Sequence, residues 1–124
     1  MNKLKVISDA MAELGLNYEF MEWTSDPAYP YFTGEYQETE SMTEDGLQES
    51  TFILNGFSRK SYFELEKAKE SIASYFKPIS GHMSIAEDGS VIGIFYANSM
   101  MIPTEDAELK IIQINLTIKE WKVM

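Results

Sequence analysis

The clearest periodicity lies near the end of the chain, where Ile112, Ile114, Leu116 and Ile118 alternate strictly with Gln113, Asn115, Thr117 and Lys119. Successive side chains of a strand point to opposite faces, so this pattern predicts a strand with one buried and one polar face. After Lys119 the pattern slips, because Trp121 and Val123 fall on the opposite parity from Ile118. Either a bulge restores the register, or those two side chains meet a second surface.

Two segments follow the helical period instead. Leu4, Ile7, Met11 and Leu14 recur at three- and four-residue spacing between charged residues, and Gly15 supplies the C-terminal stop. Leu65, Ala68, Ile72 and Phe76 line one face of a second helix that ends at Lys77-Pro78. Ser61 with Glu64 can form its capping box, or Ser58 can cap one turn earlier.

The remaining apolar runs read as strands. Tyr18 to Trp23 is aromatic-rich and ends in the turn Ser25-Asp26-Pro27. Tyr29 to Gln37 follows, with Pro30 placing it at an edge or at the strand's start, because proline cannot donate to a ladder. Gly34 within it marks a bulge or a close backbone approach. Leu47 to Phe57 places Phe52 and Leu54 on one face and Ile53 on the other. His82 to Ala86 and Val91 to Ala97 flank Glu87-Asp88-Gly89-Ser90, whose Asp-Gly is a hairpin signal. Met100-Met101-Ile102-Pro103 reads as a loop or an edge. The expected architecture is a single α+β domain over residues 1–124, in the order α-β-β-β-α-β-β-β. Its sheet is mixed and mainly antiparallel, of about six strands with two helices packed on it.

Composition narrows the function classes. The 124 residues are 44% hydrophobic and 13% aromatic, enough for a core without disulfides or metal. Twenty acidic residues against ten basic ones leave a formal net charge of −10. That balance argues against nucleic acid or anionic membrane as a partner, since both recruit Lys and Arg. The absence of cysteine excludes disulfides, zinc-thiolate sites and thiol nucleophiles. No signal-peptide pattern opens the chain and no apolar run approaches membrane-spanning length, so a soluble protein made in the cytoplasm is expected.

Catalytic patterns are not found. The single histidine, His82, sits in a predicted strand, where a structural role is the ordinary one. There is no nucleophile elbow, phosphate-cradling glycine loop or dinucleotide fingerprint. Glu35, Glu38, Glu40, Glu44, Asp45 and Glu49 fall within fifteen residues that hold no Lys or Arg. This segment lacks the alternating oxygen ligands of a calcium loop and reads as a solvated acidic connection. No cofactor or metal is expected. Trp23, Tyr29, Tyr31, Phe32 and Tyr36 crowd one stretch, and the chain holds eight methionines, Met100 and Met101 among them. Aromatic residues and methionine are enriched where proteins bury surface against partners, so, although any one of them is ordinarily core, together with Trp121 and Val123 they point to an exposed apolar patch or a subunit interface.

Several stretches carry a family resemblance. They are Pro30-Tyr31-Phe32-Thr33-Gly34-Glu35-Tyr36, Thr43-Glu44-Asp45-Gly46, Glu49 to Gly56, Leu65 to Ile72, Glu87-Asp88-Gly89, Ile94-Phe95-Tyr96, Pro103-Thr104 and Glu108 to Leu116. Together, from Pro30 to Val123, the chain resembles tail terminator (tail completion) proteins of long-tailed bacteriophages and prophages of Gram-positive bacteria. The resemblance implies an α+β fold and a non-enzymatic assembly protein. Such a protein closes into a ring, commonly a hexamer, caps the tail tube and meets the head–tail connector. It implies residence in the virion tail, and in the host cytoplasm before assembly. A neck or head-closure protein of the same gene cluster is the nearest alternative, and an acidic inhibitor or DNA mimic the next.

The resemblance carries no residue-level site, so the candidate interface or lumen residues come from the reading above. They are the acidic Glu38, Glu40, Glu44, Asp45 and Glu49, with Tyr31, Tyr36, Met100, Met101 and Trp121. Six copies would carry a formal charge of about −60, and an acidic segment facing the lumen would repel passing DNA phosphates.

Overall fold

The computed structural model describes residues 3–21, 28–38, 44, 46–86 and 88–122. The first helix, α1 (Lys3–Glu13), buries Val6, Ile7, Ala10 and Met11 on its apolar stripe. It stops where Gly15 adopts φ of +73°, a conformation that carries no Cβ penalty in glycine. Leu16 N–H then bonds back to the Met11 carbonyl at 2.9 Å, and the chain enters β1 (Asn17–Phe20). After residues 22–27, which lie outside the described set, come β2 (Tyr31–Glu38), β3 (Leu47–Ser58) and α2 (Tyr62–Phe76). The last three strands are β4 (His82–Ile85), β5 (Val91–Ile102) and β6 (Lys110–Trp121).

All six strands form one sheet in the order β1-β2-β3-β6-β5-β4. The β1–β2 pair is parallel and every other pair is antiparallel, which makes the expected mixed, mainly antiparallel α+β fold. The order is a palindrome. Each half of the chain contributes a helix and three strands, and the halves meet where β3 and β6 pair along twelve residues, from Leu47↔Trp121 to Ser58↔Lys110. The outermost strands break the symmetry, β1 running with its neighbour and β4 against it.

Both helices sit on one face of this sheet. That face receives Phe32 from β2, Phe52 and Leu54 from β3, Ile92 and Ile94 from β5, and Ile112 to Ile118 at alternate positions of β6. From the helices come Ile7 and Met11, and Leu65, Ile72 and Phe76, all fully buried. Burying each of these large side chains contributes about 1.5–3 kcal/mol, so this single layer supplies the main driving force for folding.

Two glycines make room for the aromatic part of the core. A Cβ on Gly34 would stand 2.5 Å from the Phe52 ring, and one on Gly56 would stand 2.3 Å from the Phe32 ring. Gly34 is therefore a close approach and not a bulge. The bulge of this sheet lies in β5, where the pairing with β6 shifts between Tyr96 and Asn98.

The start of α2 uses both serines that the sequence offered. Ser61 is the N-cap, its hydroxyl accepting from Glu64 N–H at 3.2 Å. The Glu64 carboxylate does not return to the Ser61 amide but accepts from the Ser58 hydroxyl at 2.6 Å. Ser58 Oγ in turn accepts from Lys60 N–H at 3.0 Å. A buried strand end thereby becomes the seat of the helix.

Candidate functional site

The helices cover one face of the sheet and leave the other uncovered by any described element. Cross-strand register sorts the side chains of this open face into rows. At one end lie Tyr31, Phe57, Ile111 and Ile102, at the other Leu47, Trp121, Val91 and Ile85. The two apolar rows cross β6 at Ile111 and Trp121, ten steps apart, about 33 Å at the rise of a strand. The rows between are richer in amides and hydroxyls, among them Thr33-Asn55-Gln113, Asn115-Asn98 and Thr51-Thr117.

The polar middle is internally bonded. Gln113 Nε2 donates to Asn115 Oδ1 at 3.2 Å, and Asn115 Nδ2 donates to Asn98 Oδ1 at 2.7 Å. Asn55 Nδ2 reaches Glu35 Oε1 at 3.4 Å. Closer to the Trp121 end, Lys119 pairs with Glu49 at 3.6 Å and stands 5.7 Å from the centre of the Phe95 ring. Such side chains hold their own geometry while keeping capacity for further hydrogen bonds.

At the aromatic end the side chains stack on one another. The Tyr31 ring stacks on Phe57 with centroids 4.9 Å apart, and Tyr29 tilts against Tyr31 at 5.2 Å. Arg59, the chain's single arginine, lies over Tyr29 at 5.3 Å and pairs with Asp106 at 3.6 Å. Burial, assisted by the neighbouring Tyr29, pushes the Tyr31 hydroxyl above its ordinary pKa. Tyrosine and arginine together are the composition of interface hot spots.

The residues singled out from the sequence divide between the two faces. Tyr31, Glu49, Met100 and Trp121 lie on the open face, at its two ends and in its middle. Trp121 gets there without a bulge in β6. The strand keeps its alternation, Trp121 pairs with Leu47, and the core-side position falls to Glu120. Val123 lies outside the described residues.

Tyr36 and Met101 point to the helix side. Tyr36 is exposed at its margin, with the Lys3 ammonium 4.7 Å from the ring centre, and Met101 packs against the core. Glu38 is exposed at the end of β2, and Glu44 is exposed in a turn. Glu40 and Asp45 lie outside the described residues. Glu38, Glu44 and Glu49 do not converge on a common point. Among the described residues no three His, Asp or Glu side chains gather as metal ligands would.

Sequence reasoning missed the aromatic–arginine corner as a unit. Tyr31 was in view, but Phe57, Arg59 and Asp106 are brought to it by strand pairing and by the turn after β5. A shallow groove of about 580 Å³ between the helices is lined by Leu14, Lys67, Glu70 and Tyr75 among others. There Tyr75 donates to Glu13 at 3.1 Å. His82 sits beside Tyr75 and Phe76, at 4.8 and 6.1 Å between ring centroids.

Among known proteins, no family model matches this chain, and no curated protein matches its sequence.

Proposed function

We propose that this protein is an assembly subunit of a long-tailed bacteriophage or prophage, acting as a tail terminator. In this reading several copies close into a ring, a hexamer in the assembled tail. The ring caps the end of the tail tube and meets the head–tail connector, without catalysing a reaction.

One observation carries the reading. Among the described residues no element covers one whole sheet face, and its ends hold aromatic and aliphatic side chains that the two helices do not bury. Open antiparallel sheets commonly present polar residues to water. Here Tyr31, Phe57 and Ile111 at one end, and Leu47 and Trp121 at the other, make two apolar footholds. The hydrogen-bonded amide belt between them suits a wet, specific contact. Two footholds about 33 Å apart fit a subunit that touches more than one neighbour. The acidic excess keeps such a subunit apart from DNA that passes through the ring.

The test is reconstitution with the tail tube protein of the same phage. The expected result is co-elution of the two proteins, and negative-stain images in which rings with open centres cap the tube ends. Phe57→Lys and Trp121→Lys should each abolish capping while leaving the circular dichroism unchanged. Absence of any association with tube or connector protein, together with tight binding to a basic host protein, would replace this reading with that of an acidic inhibitor.

A further inference from the structure

The outer edge of β5 is half used. β4 pairs with it only from Val91 to Ile94, and no strand among the described residues pairs with that side from Tyr96 to Ile102. Seven residues of extended backbone therefore present their outward N–H and C=O groups unclaimed by any described strand. Proteins commonly protect such edges with lysine, proline, bulges or extreme shortness.

The one protective device here is the irregularity between Tyr96 and Asn98, which leaves Asn98 to Ile102 in regular pairing with β6. All twelve residues of β5 (VIGIFYANSMMI) are uncharged, in a chain that is 24% charged. The comparable free stretch on the opposite side of the sheet, Glu35 to Glu38 of β2, carries two glutamates. One edge is guarded and the other is not.

We infer that the free edge of β5 is a two-fold interface, on which Tyr96–Ile102 pairs antiparallel with the same segment of a second copy. The six strands of each copy then join into one continuous sheet. A strand edge rotated by 180° presents its own complement, so one surface serves both partners. Two subunits of formal charge −10 repel through most of their surface, and β5 brings no ionised group to the contact.

The longest register places Ser99 opposite Ser99 of the copy and Tyr96 opposite its Ile102. That register has a seat for the strand's end. A groove of about 410 Å³, lined by Pro78, Ile79, Phe95, Ala97, Thr117 and Lys119 among others, runs from the edge of β5 next to the start of β4 across the open face onto β6. It receives the copy's Ile102-Pro103, and Ile79, now 92% exposed, closes over it. Pro103 follows without an amide donor, which ends the pairing there. The inference stands on this edge and not on the tail reading. A closed ring is head-to-tail, so it uses other surfaces or forms after this pair has opened.

The absence of native cysteine makes the test direct. Under mild oxidation Ser99→Cys should form a disulfide dimer in high yield, since paired Cα atoms across strands fall within disulfide reach. Glu38→Cys, on the guarded edge, should form no disulfide-linked dimer. Light scattering should give a dimer for the unmodified chain at tens of micromolar. Met100→Lys, which alters a side chain already 55% exposed, should be monomeric and still unfold in one cooperative transition, without the concentration dependence of the wild-type melting temperature. A chain that is monomeric up to millimolar concentration would overturn the proposal. So would a dimer that Met100→Lys leaves intact and Ser99→Cys fails to trap. Larger assemblies that cross-link when Glu38→Cys and Ser99→Cys are combined, but through neither alone, would overturn it as well, in favour of head-to-tail pairing.

Discussion

Lys3 Nζ lies 2.7 Å from Glu120 Oε1 and ties the first turn of α1 to the far end of β6. Among the described residues Glu120 is the one charged side chain that is buried, because β6 keeps its alternation one step beyond the apolar run. Its Oε1 is buried without an aligned hydrogen-bond donor among the described groups. The ammonium therefore compensates it by charge, with Lys122 a second, longer partner at 3.7 Å. Removing one member of such a pair leaves a carboxylate in a poor solvent. Lys3→Met should cost about 2 kcal/mol, including the contact of Lys3 with Tyr36. Lys3→Met with Glu120→Met should recover most of that loss. Urea denaturation of the two single variants and the double variant completes the cycle, and an additive result would mean that the pair is not coupled.

Tyr18 sets a limit at high pH. Its hydroxyl is buried with no hydrogen-bond partner among the described groups, and desolvation pushes its pKa up to about 12. The neutral phenol is the form the fold favours. The contribution is fully present below the unfolded value near 10 and is lost as pH rises towards 12, because the unfolded chain releases the proton first. Between pH 10 and 12 the wild type should lose up to about 2 kcal/mol through this group. Tyr18→Phe should show a shallower decline over the same window. At pH 7 that variant should match or slightly exceed the wild type, since no bonded hydroxyl is given up. A steeper alkaline decline in the Phe variant would contradict this account.

Gly56 is fixed by its neighbours and not by its dihedral angles. An added methyl would stand 2.3 Å from Phe32 Cε2 and 2.9 Å from Ile112 Cγ2, and both side chains are essentially buried. Gly56→Ala should therefore cost about 3 kcal/mol, the upper part of the range for overpacking a core. Adding Phe32→Leu should restore part of that stability, although Phe32→Leu alone is destabilising. Chemical denaturation of the pair gives the sign, and a double variant no better than the sum of the singles would place the constraint elsewhere. Gly15 is the contrast. Its φ is +73° with no atom within 4 Å, so Gly15→Asn should cost well under 1 kcal/mol.

Much of this architecture was legible because period and parity are local. The alternation from Ile112 to Ile118 and the stripe Leu65, Ala68, Ile72 and Phe76 each named their buried face. Gly15 and Ser61 named helix ends. What lay beyond reach came from pairing at a distance. Nothing near Phe57 in the chain says that Tyr31 stacks on it. Nothing near Glu120 says that a lysine from α1 will meet it. Val91 to Ala97 was readable as a strand, but its run on to Ile102 depends on the long β6 that it pairs with. The parity slip at Trp121 stated the right question. Its answer, a second face, required knowing that both helices lie on the first.

That second face gives the sharpest contrast between folding and function. Phe52 and Ile53 are adjacent in β3, yet Phe52 is fully buried under the helices and Ile53 lies on the open side. Phe52→Lys should prevent folding, because it places an unpaired ammonium in the core and removes a large buried ring. Ile53→Lys should leave the melting temperature within a few degrees of wild type, as expected where a side chain has no covering layer. The same Ile53→Lys subunit should fail to associate with the tube protein, since Ile53 lies between the two apolar ends that the tail reading uses. Differential scanning calorimetry and pull-down on the same preparation separate the two effects. A variant that folds and still associates would show that the partner lies on the helix side. A variant that fails to fold would mean that Ile53 is covered and that this face of the sheet is closed in solution.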